Sequence, residues 1–148
     1  MADLQTQAAD GQSRTVVVER DFPFPPERLW RALTQPHLMA EWLMKNDFQP
    51  TPGHRFHLTG EWGGVLDCEV LVVEPERTLS YTWDFAHDDP AYALKSVVTF
   101  NLEQTDHGTH LRMEQAGFRP DQKQAFGGAH AGWKQFFDKL ETVAAKAD

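Results

Sequence analysis

The segment FGGAHAGWKQFFDKLETVA, residues 126–144, predicts the long helix that decides the fold. Its apolar stripe recurs at alternating steps of four and three residues, which places the stripe on one face of an α-helix. The stripe consists of Phe126, His130, Trp133, Phe137, Leu140 and Ala144. A helix of roughly 24 residues extends for ~36 Å, enough to cross a small domain. We expect it to begin after Asp121, because a carboxylate is a common N-cap group.

Runs of alternating apolar and polar residues before this helix predict antiparallel strands. The clearest run is TLSYTWDF, residues 78–85, in which Leu79, Tyr81, Trp83 and Phe85 point to one side of the strand. The other predicted strands are RTVVVERDF (14–22), HRFHLTGEW (54–62), VLDCEVLVVEP (65–75), LKSVVTFNLEQ (94–104) and HLRMEQAGF (110–118). The turn TDHGT between the last two runs is typical of a hairpin.

Two short helices are predicted between the first and second strands. Pro25 and Pro26 suit the first turn of one helix, and Pro36 begins the other. A single curled sheet buries one face, and the C-terminal helix is the element left to cover that face. The sequence therefore predicts an α+β fold in which a curved antiparallel sheet of about six strands wraps around the long helix.

Composition and charge limit the classes of function. The 148 residues suit a single domain, predicted over 14–148 after a disordered lead-in at 1–13. The net charge of −8 argues against a nucleic-acid partner, which requires clustered cations. No apolar run is long enough for membrane insertion, and no signal peptide is apparent, so we predict a cytoplasmic protein. Cys68 lies in an apolar run and is interpreted as a buried hydrophobic side chain.

Four motifs in this order resemble those of a known superfamily. They are F.FPPERLWRALTQPHLMAEWL (22–43), VLDCEVLVVEPERTLSYTW (65–83), SVVTFNLEQTDHGTHLRMEQAGF (96–118) and GW..FFDKL (132–140). Together they resemble the START/Bet v 1-like (SRPBCC) superfamily, and most closely the branch named for the C-terminal domain of the activator of Hsp90 ATPase. The resemblance implies a helix-grip fold whose cavity, between the long helix and the sheet, binds or transforms small apolar ligands.

Glycines and a histidine inside the predicted long helix need an explanation. Gly127, Gly128 and Gly132 each cost a helix interior ~1 kcal/mol relative to alanine. They mark either close packing against the sheet, a late helix start or a kink, or else space kept for a ligand. His130, on the apolar stripe, is either a satisfied core histidine or a polar group that contacts a ligand or acts as acid or base.

Aromatic side chains come from every predicted element that could touch a central hollow, where they form either a plain core or the wall of a pocket. The candidate ligand-binding residues are Trp42, Phe56, Trp62, Tyr81, Trp83, Phe85, Met113, His130, Trp133 and Phe137. Gln115 is a further polar candidate. No catalytic group is assigned, with His130 the first choice if there is one. No histidine or cysteine spacing suits a metal, and no cofactor is expected.

Three functions remain open at this stage. The first is a module that binds a small hydrophobic ligand entering between the short helices, the loop around Glu61 and Trp62, and the start of the long helix. The second is an enzyme of cyclase or hydrolase type using the same cavity, which we consider less favoured. The third is a chaperone accessory protein that contacts Hsp90 through a broad apolar patch. We expect a monomer or a weak homodimer.

Overall fold

One antiparallel sheet organises the fold in a computed structural model that describes residues 14–147. The predicted lead-in, 1–13, lies outside the described residues. The elements are β1 (Arg14–Phe22), α1 (Pro26–Thr34), α2 (Pro36–Trp42), β2 (Lys45–Asn46), β3 (Arg55–Thr59), β4 (Val65–Glu74), β5 (Thr78–Phe85), β6 (Leu94–Thr105), β7 (Gly108–Phe118) and α3 (Lys123–Lys146). The predicted α+β class and the order of its elements are confirmed.

The sheet has seven strands in the order β1-β7-β6-β5-β4-β3-β2. Strands β2 to β7 follow one another as antiparallel neighbours, and β1 pairs with β7 at the far edge. The seventh strand, beyond the six predicted, is β2, which has only two residues and leaves no pattern in the sequence. Helices α1 and α2 connect the β1 edge to the β2 edge.

Prolines set the limits of the two short helices. Pro25 is the N-cap residue of α1, and Pro26 occupies its first turn, where no backbone N–H is needed. Gln35 precedes Pro36 and has extended backbone angles, which ends α1 and starts α2. The break between α1 and α2 is therefore determined by Pro36 and the residue before it.

The long helix covers the concave face of the sheet, as predicted. Trp133, Phe137, Leu140 and Ala144 of the predicted stripe are buried, together with Val143, whereas Phe126 and His130 of the stripe are half-buried. Leu79, Tyr81 and Trp83 of β5 alternate into the same core.

Close packing does not explain the helix glycines. A Cβ atom at Gly127, Gly128 or Gly132 would meet no atom within 4 Å, so the expected close approach to the sheet is wrong. A late helix start is also wrong, because α3 begins at Lys123 and continues through all three positions. The N-cap residue is Gln122, whereas Asp121 pairs with Arg119.

The outer face of β1 and β7 carries a group of charged side chains. This outer-face cluster consists of Glu19, Asp21, His110, Arg112 and Glu114. The ring of His110 lies between two carboxylates, with Nδ1 2.8 Å from Asp21 Oδ1 and Nε2 2.8 Å from Glu19 Oε1. The hydrogen bond to Glu19, and then that to Asp21, raises the pKa of His110. The hydrogen bond from His110 lowers the pKa of Glu19.

We expect the outer-face cluster to stabilise the protein most between about pH 4.3 and pH 6.5, the ordinary glutamate and histidine pKa values. Because folding raises the pKa of His110, this residue stabilises the folded protein fully below the ordinary histidine pKa. The stabilisation is lost as the pH rises through the pKa of His110 in the folded state. Because folding lowers the pKa of Glu19, the stabilisation from this residue is present above the ordinary glutamate pKa and is lost as the pH falls through the folded-state pKa. His110→Ala should therefore lower the Tm more at about pH 5.5 than at about pH 8.5. An equal loss at both pH values would contradict this, and His107→Ala, in the β6–β7 turn, is the control.

Candidate functional site

An open cleft lies between the helices and one end of the sheet. This mouth cleft has a volume of about 530 Å³ and is lined by α2, the residues after it, the β3–β4 turn and α3. Its apolar lining includes Leu43, Met44, Trp62 and Phe136. It occupies the place predicted for ligand access, beside Glu61 and Trp62, although it meets α3 at Phe136 rather than at the start of the helix.

The floor of the mouth cleft is continuous with the aromatic core. Phe136 is half-buried, and its ring centroid lies 5.3 Å from that of Trp133 and 6.4 Å from that of Trp42. Trp42 and Trp133 both pack edge-on against Phe100 of β6. A molecule seated in the mouth cleft would therefore contact a ring that packs directly on the core.

Trp62 forms one wall of the mouth cleft in an unusual position. Its side chain is 62% exposed and lies over the backbone of its own turn, where a Cβ atom on Gly60 or Gly64 would overlap the indole. On its other side, the indole packs edge-on against Phe85 at 5.5 Å between ring centroids. The two glycines therefore allow a large aromatic side chain to remain at the rim of the cleft.

A chain of hydrogen bonds crosses the buried interior. Trp133 Nε1 donates to Gln115 Oε1 at 2.8 Å, Gln115 Nε2 donates to Ser96 Oγ at 3.0 Å, and Ser96 Oγ donates to the carbonyl of Trp83 at 2.6 Å. This polar chain fixes α3 to β5, β6 and β7. Because both ends of the Gln115 amide are used within it, the structure favours a structural role for Gln115 over ligand contact.

Tyr81, unlike the residues of the polar chain, has a buried polar group without a hydrogen-bond partner. Its side chain is fully buried, and its hydroxyl has no hydrogen-bond partner among residues 14–147. The rings of Phe48, Phe56 and Phe100 surround it at centroid distances of 5.2 to 6.0 Å. Burial raises the pKa of Tyr81 well above its ordinary value, so the hydroxyl remains protonated and can donate a hydrogen bond.

A second cleft lies at the end of the sheet. This end cleft has a volume of about 560 Å³ and includes Phe85, Leu94 and Gly117 in its lining. The β5–β6 loop beside it is held against the start of α3, because Arg119 donates to the carbonyl of Pro90 and Gln122 to that of Ala93. The ring pair Trp62–Phe85 stands between the two clefts, since each cleft is lined by one of its members.

The structure separates the predicted ligand-binding residues into three groups. One group is buried in the core: Trp42, Phe56, Tyr81, Trp83, Met113, Trp133 and Phe137. Phe85 lines the end cleft and Trp62 lines the mouth cleft. His130 is half-buried on α3, and its imidazole makes no hydrogen bond or ion pair with any residue of 14–147. Contact with a ligand remains a prediction for all of them.

Phe136 and Met44, which line the mouth cleft, are not among the candidate ligand-binding residues predicted from the sequence. Phe136 lies three residues after Trp133, a helical spacing that the predicted stripe did not include. Met44 follows the end of α2, where no regular pattern predicts the direction of a side chain.

The described part of the chain gives little support to a reactive cysteine or a metal site. Burial raises the pKa of the Cys68 thiol, and Asp84 and Asp67 raise it further, so this cysteine is not an activated nucleophile. Residues 14–147 contain no group of three or more His, Cys, Asp or Glu side chains arranged to hold a metal ion. Over the same range, no helix has both the length and the apolar character needed to cross a membrane.

Comparison with solved structures supports the fold. Protein MLL2253 from Mesorhizobium loti is 68% identical, with a TM-score of 0.88 over 91% of this chain and 99% of that chain. Protein BH1534 from Bacillus halodurans is 25% identical, with a TM-score of 0.76 over 91% and 99%. DynU16, a protein of the dynemicin biosynthetic locus, is also 25% identical, with a TM-score of 0.77; the match covers 89% of this chain but 47% of DynU16.

Comparison at the level of families agrees with the resemblance seen in the sequence. No curated protein matches this chain. The family described as Activator of Hsp90 ATPase homolog 1-like protein matches residues 23–145, which include α1, α2, all but the last residue of α3, and all of the sheet except β1. The chain therefore belongs to the family of Activator of Hsp90 ATPase homolog 1-like proteins.

Proposed function

We propose that this protein binds a small hydrophobic molecule, which enters through the mouth cleft. The observation that carries the proposal is the cleft itself, whose apolar lining ends on Phe136, a ring in direct contact with Trp42 and Trp133. Its volume of about 530 Å³ lies within the range of roughly 300–1,000 Å³ that is usual for small-molecule sites.

The charges around the mouth cleft fit this class of ligand. Glu41 and Glu61 face the cleft together with Lys45 and Lys139, and all four side chains are exposed. The two signs balance at the rim, so the cleft has no net charge with which to select a strongly ionic ligand. Binding then depends mainly on the apolar area buried, at roughly 25 cal/mol per Å².

The other two functions have less support from the geometry. An enzyme would need an acid or base beside the bound molecule, and His130 has no hydrogen-bonded partner in the described chain to orient it. A chaperone accessory would need a broad apolar patch. The most exposed large apolar side chains, Trp62, Tyr92, Val65, Leu71 and Val72, are distributed over the β3–β4 turn, β4 and the β5–β6 loop.

A charge placed in the mouth cleft tests the proposal. We expect the neutral dye N-phenyl-1-naphthylamine to bind the wild-type protein, with an increase in dye fluorescence. Met44→Glu should weaken that binding by more than about tenfold, because the carboxylate at this half-buried position would have to lose water when the apolar dye covers it. The measurement is a fluorescence titration of each variant.

Leu71→Glu is the matched control, since it adds the same charge at a 41% exposed apolar position of β4 outside the cleft. It should leave the affinity for the dye unchanged. Equal affinities of the two variants would contradict the proposed site, and no binding to the wild-type protein would contradict the proposed function. Native mass spectrometry of gently purified protein would then identify any small molecule that remains bound.

A further inference from the structure

At the β3–β4 hairpin, the concave face of the sheet ends on two glycines. Gly60 donates a backbone hydrogen bond to the carbonyl of Gly64, one step beyond the last pair of the ladder between β3 and β4. Because alternate residues of a strand face opposite sides of a sheet, the two glycines share the side of Leu58 and Leu66, which are buried. The concave face therefore has bare backbone at this end of the sheet.

The indole of Trp62 lies flat over this bare backbone. A Cβ atom on Gly60 would overlap the pyrrole ring at Nε1, Cε2 and Cδ1, and one on Gly64 would overlap the benzene ring at Cζ3, Cη2 and Cε3. Since each ring covers one glycine, one face of the indole lies against the hairpin. The opposite face is directed away from the sheet, in a side chain that is 62% exposed and lines the mouth cleft.

Aromatic rings stand on both sides of the mouth cleft. Trp62 belongs to the sheet side and Phe136 to α3, the helix that covers that side, and both line the cleft. Phe136 is held by the rings of Trp42 and Trp133, and Phe85 packs against the indole with 74° between the ring planes. The two rings that line the cleft are thus positioned before a molecule binds, which lowers the entropy that binding costs.

We propose that Trp62 makes the mouth cleft selective for ligands with a flat aromatic ring, which lies against the outward face of the indole and has Phe136 on its other side. This inference rests on the proposed function and adds a residue that determines specificity. A flat ring contacts an indole face with all of its atoms, whereas a saturated ring of the same size contacts it with fewer. Aromatic pairs also gain about fivefold in affinity beyond the area they bury.

Acetophenone and cyclohexyl methyl ketone test this selectivity, because they have the same carbonyl group and ring size and differ in the flatness of the ring. Their dissociation constants are measured by displacement of N-phenyl-1-naphthylamine from the wild-type protein and from Trp62→Leu, which retains an apolar side chain without a flat face. The ratio of the two constants should favour acetophenone about fivefold more in the wild-type protein than in Trp62→Leu.

Gly64→Ala tests the position of the indole while Trp62 itself is retained. The φ of Gly64 is not positive, so alanine is compatible with this backbone, but its Cβ atom would displace the benzene ring of Trp62. This variant should lose the same preference for acetophenone as Trp62→Leu. Tyr92→Leu is the matched control, since it removes an equally exposed aromatic ring from the β5–β6 loop, outside the mouth cleft, and should leave the ratio unchanged.

The outcomes separate this inference from the proposed function. If the indole only covers the hairpin, Trp62→Leu will weaken both ketones by the same factor, and the inference is overturned. It is also overturned if Gly64→Ala retains the wild-type ratio, or if neither ketone displaces a dye that does bind. In each of these cases the proposed function still stands. Failure of the dye to bind the wild-type protein would overturn the proposed function together with the inference.

Discussion

Trp133→Ala is expected to lower the free energy of unfolding by about 4 kcal/mol, within the usual range for removal of a buried tryptophan. The indole is 2% exposed and packs against Trp83, Phe100 and Phe137 as well as Phe136. Its removal leaves a cavity at the point where α3 meets the sheet. It also leaves Gln115 Oε1 without its donor. Urea denaturation followed by far-UV circular dichroism measures the loss.

Trp133→Phe separates the cost of the lost hydrogen bond from the cost of the lost packing. Phenylalanine retains most of the buried ring area but cannot donate to Gln115, so its expected cost is about 1–3 kcal/mol, that of an unpaired buried acceptor. Trp62→Ala is the control for removal of an indole, because Trp62 is largely exposed. A loss below about 1 kcal/mol for Trp133→Ala would show that α3 is not held to the sheet through this residue.

The elements of the fold could be predicted because their signals are local. The stripe of α3 and the alternation in β5 each follow from a fixed period within a single segment. Pro26 and Pro36 act on the residues next to them. The two-residue strand β2 has no such signal, since it pairs with β3 only because α2 brings the chain to that edge.

The site could be predicted only in part, because its geometry depends on contacts between distant segments. Trp62 and Phe85 were recognised as aromatic, but the sequence does not show that the indole lies over Gly60 and Gly64 at the rim. Likewise, nothing near Gln115 in the sequence indicates that Trp133 and Ser96 satisfy its amide while Tyr81 is left without a partner.

The helix glycines show where a sequence pattern leaves its cause open. Their positions within α3 follow from the sequence, but close packing, a late helix start, a kink and space for a ligand all fit those positions. The structure shows open space next to each missing Cβ atom. Gly128 is exposed and helical, so alanine at this position should stabilise α3 by roughly 0.5–1 kcal/mol through its higher helix propensity. The same substitution at a glycine of the sheet should have the opposite effect.

Gly117→Ala is that opposite case, with an expected loss of at least about 2 kcal/mol. Gly117 has a φ of 126°, a conformation that side chains with a Cβ rarely adopt. It is the extra residue of β7 where the pairing with β1 shifts between Arg14 and Thr15, as in a β-bulge.

Steric contact adds to the backbone strain, because a Cβ atom at Gly117 would meet the carbonyl of Lys95 and lie 3.0 Å from Ser96 Cα. Neither is the end of a flexible side chain, so β6 itself would have to move. Ser96 connects Gln115 to the Trp83 carbonyl in the polar chain, and its displacement would reach Trp133. We therefore expect Gly117→Ala to unfold at lower urea concentration and Gly128→Ala at higher concentration than the wild-type protein. An unchanged or higher urea midpoint for Gly117→Ala would show that backbone conformation at the bulge does not control the stability of this end of the sheet.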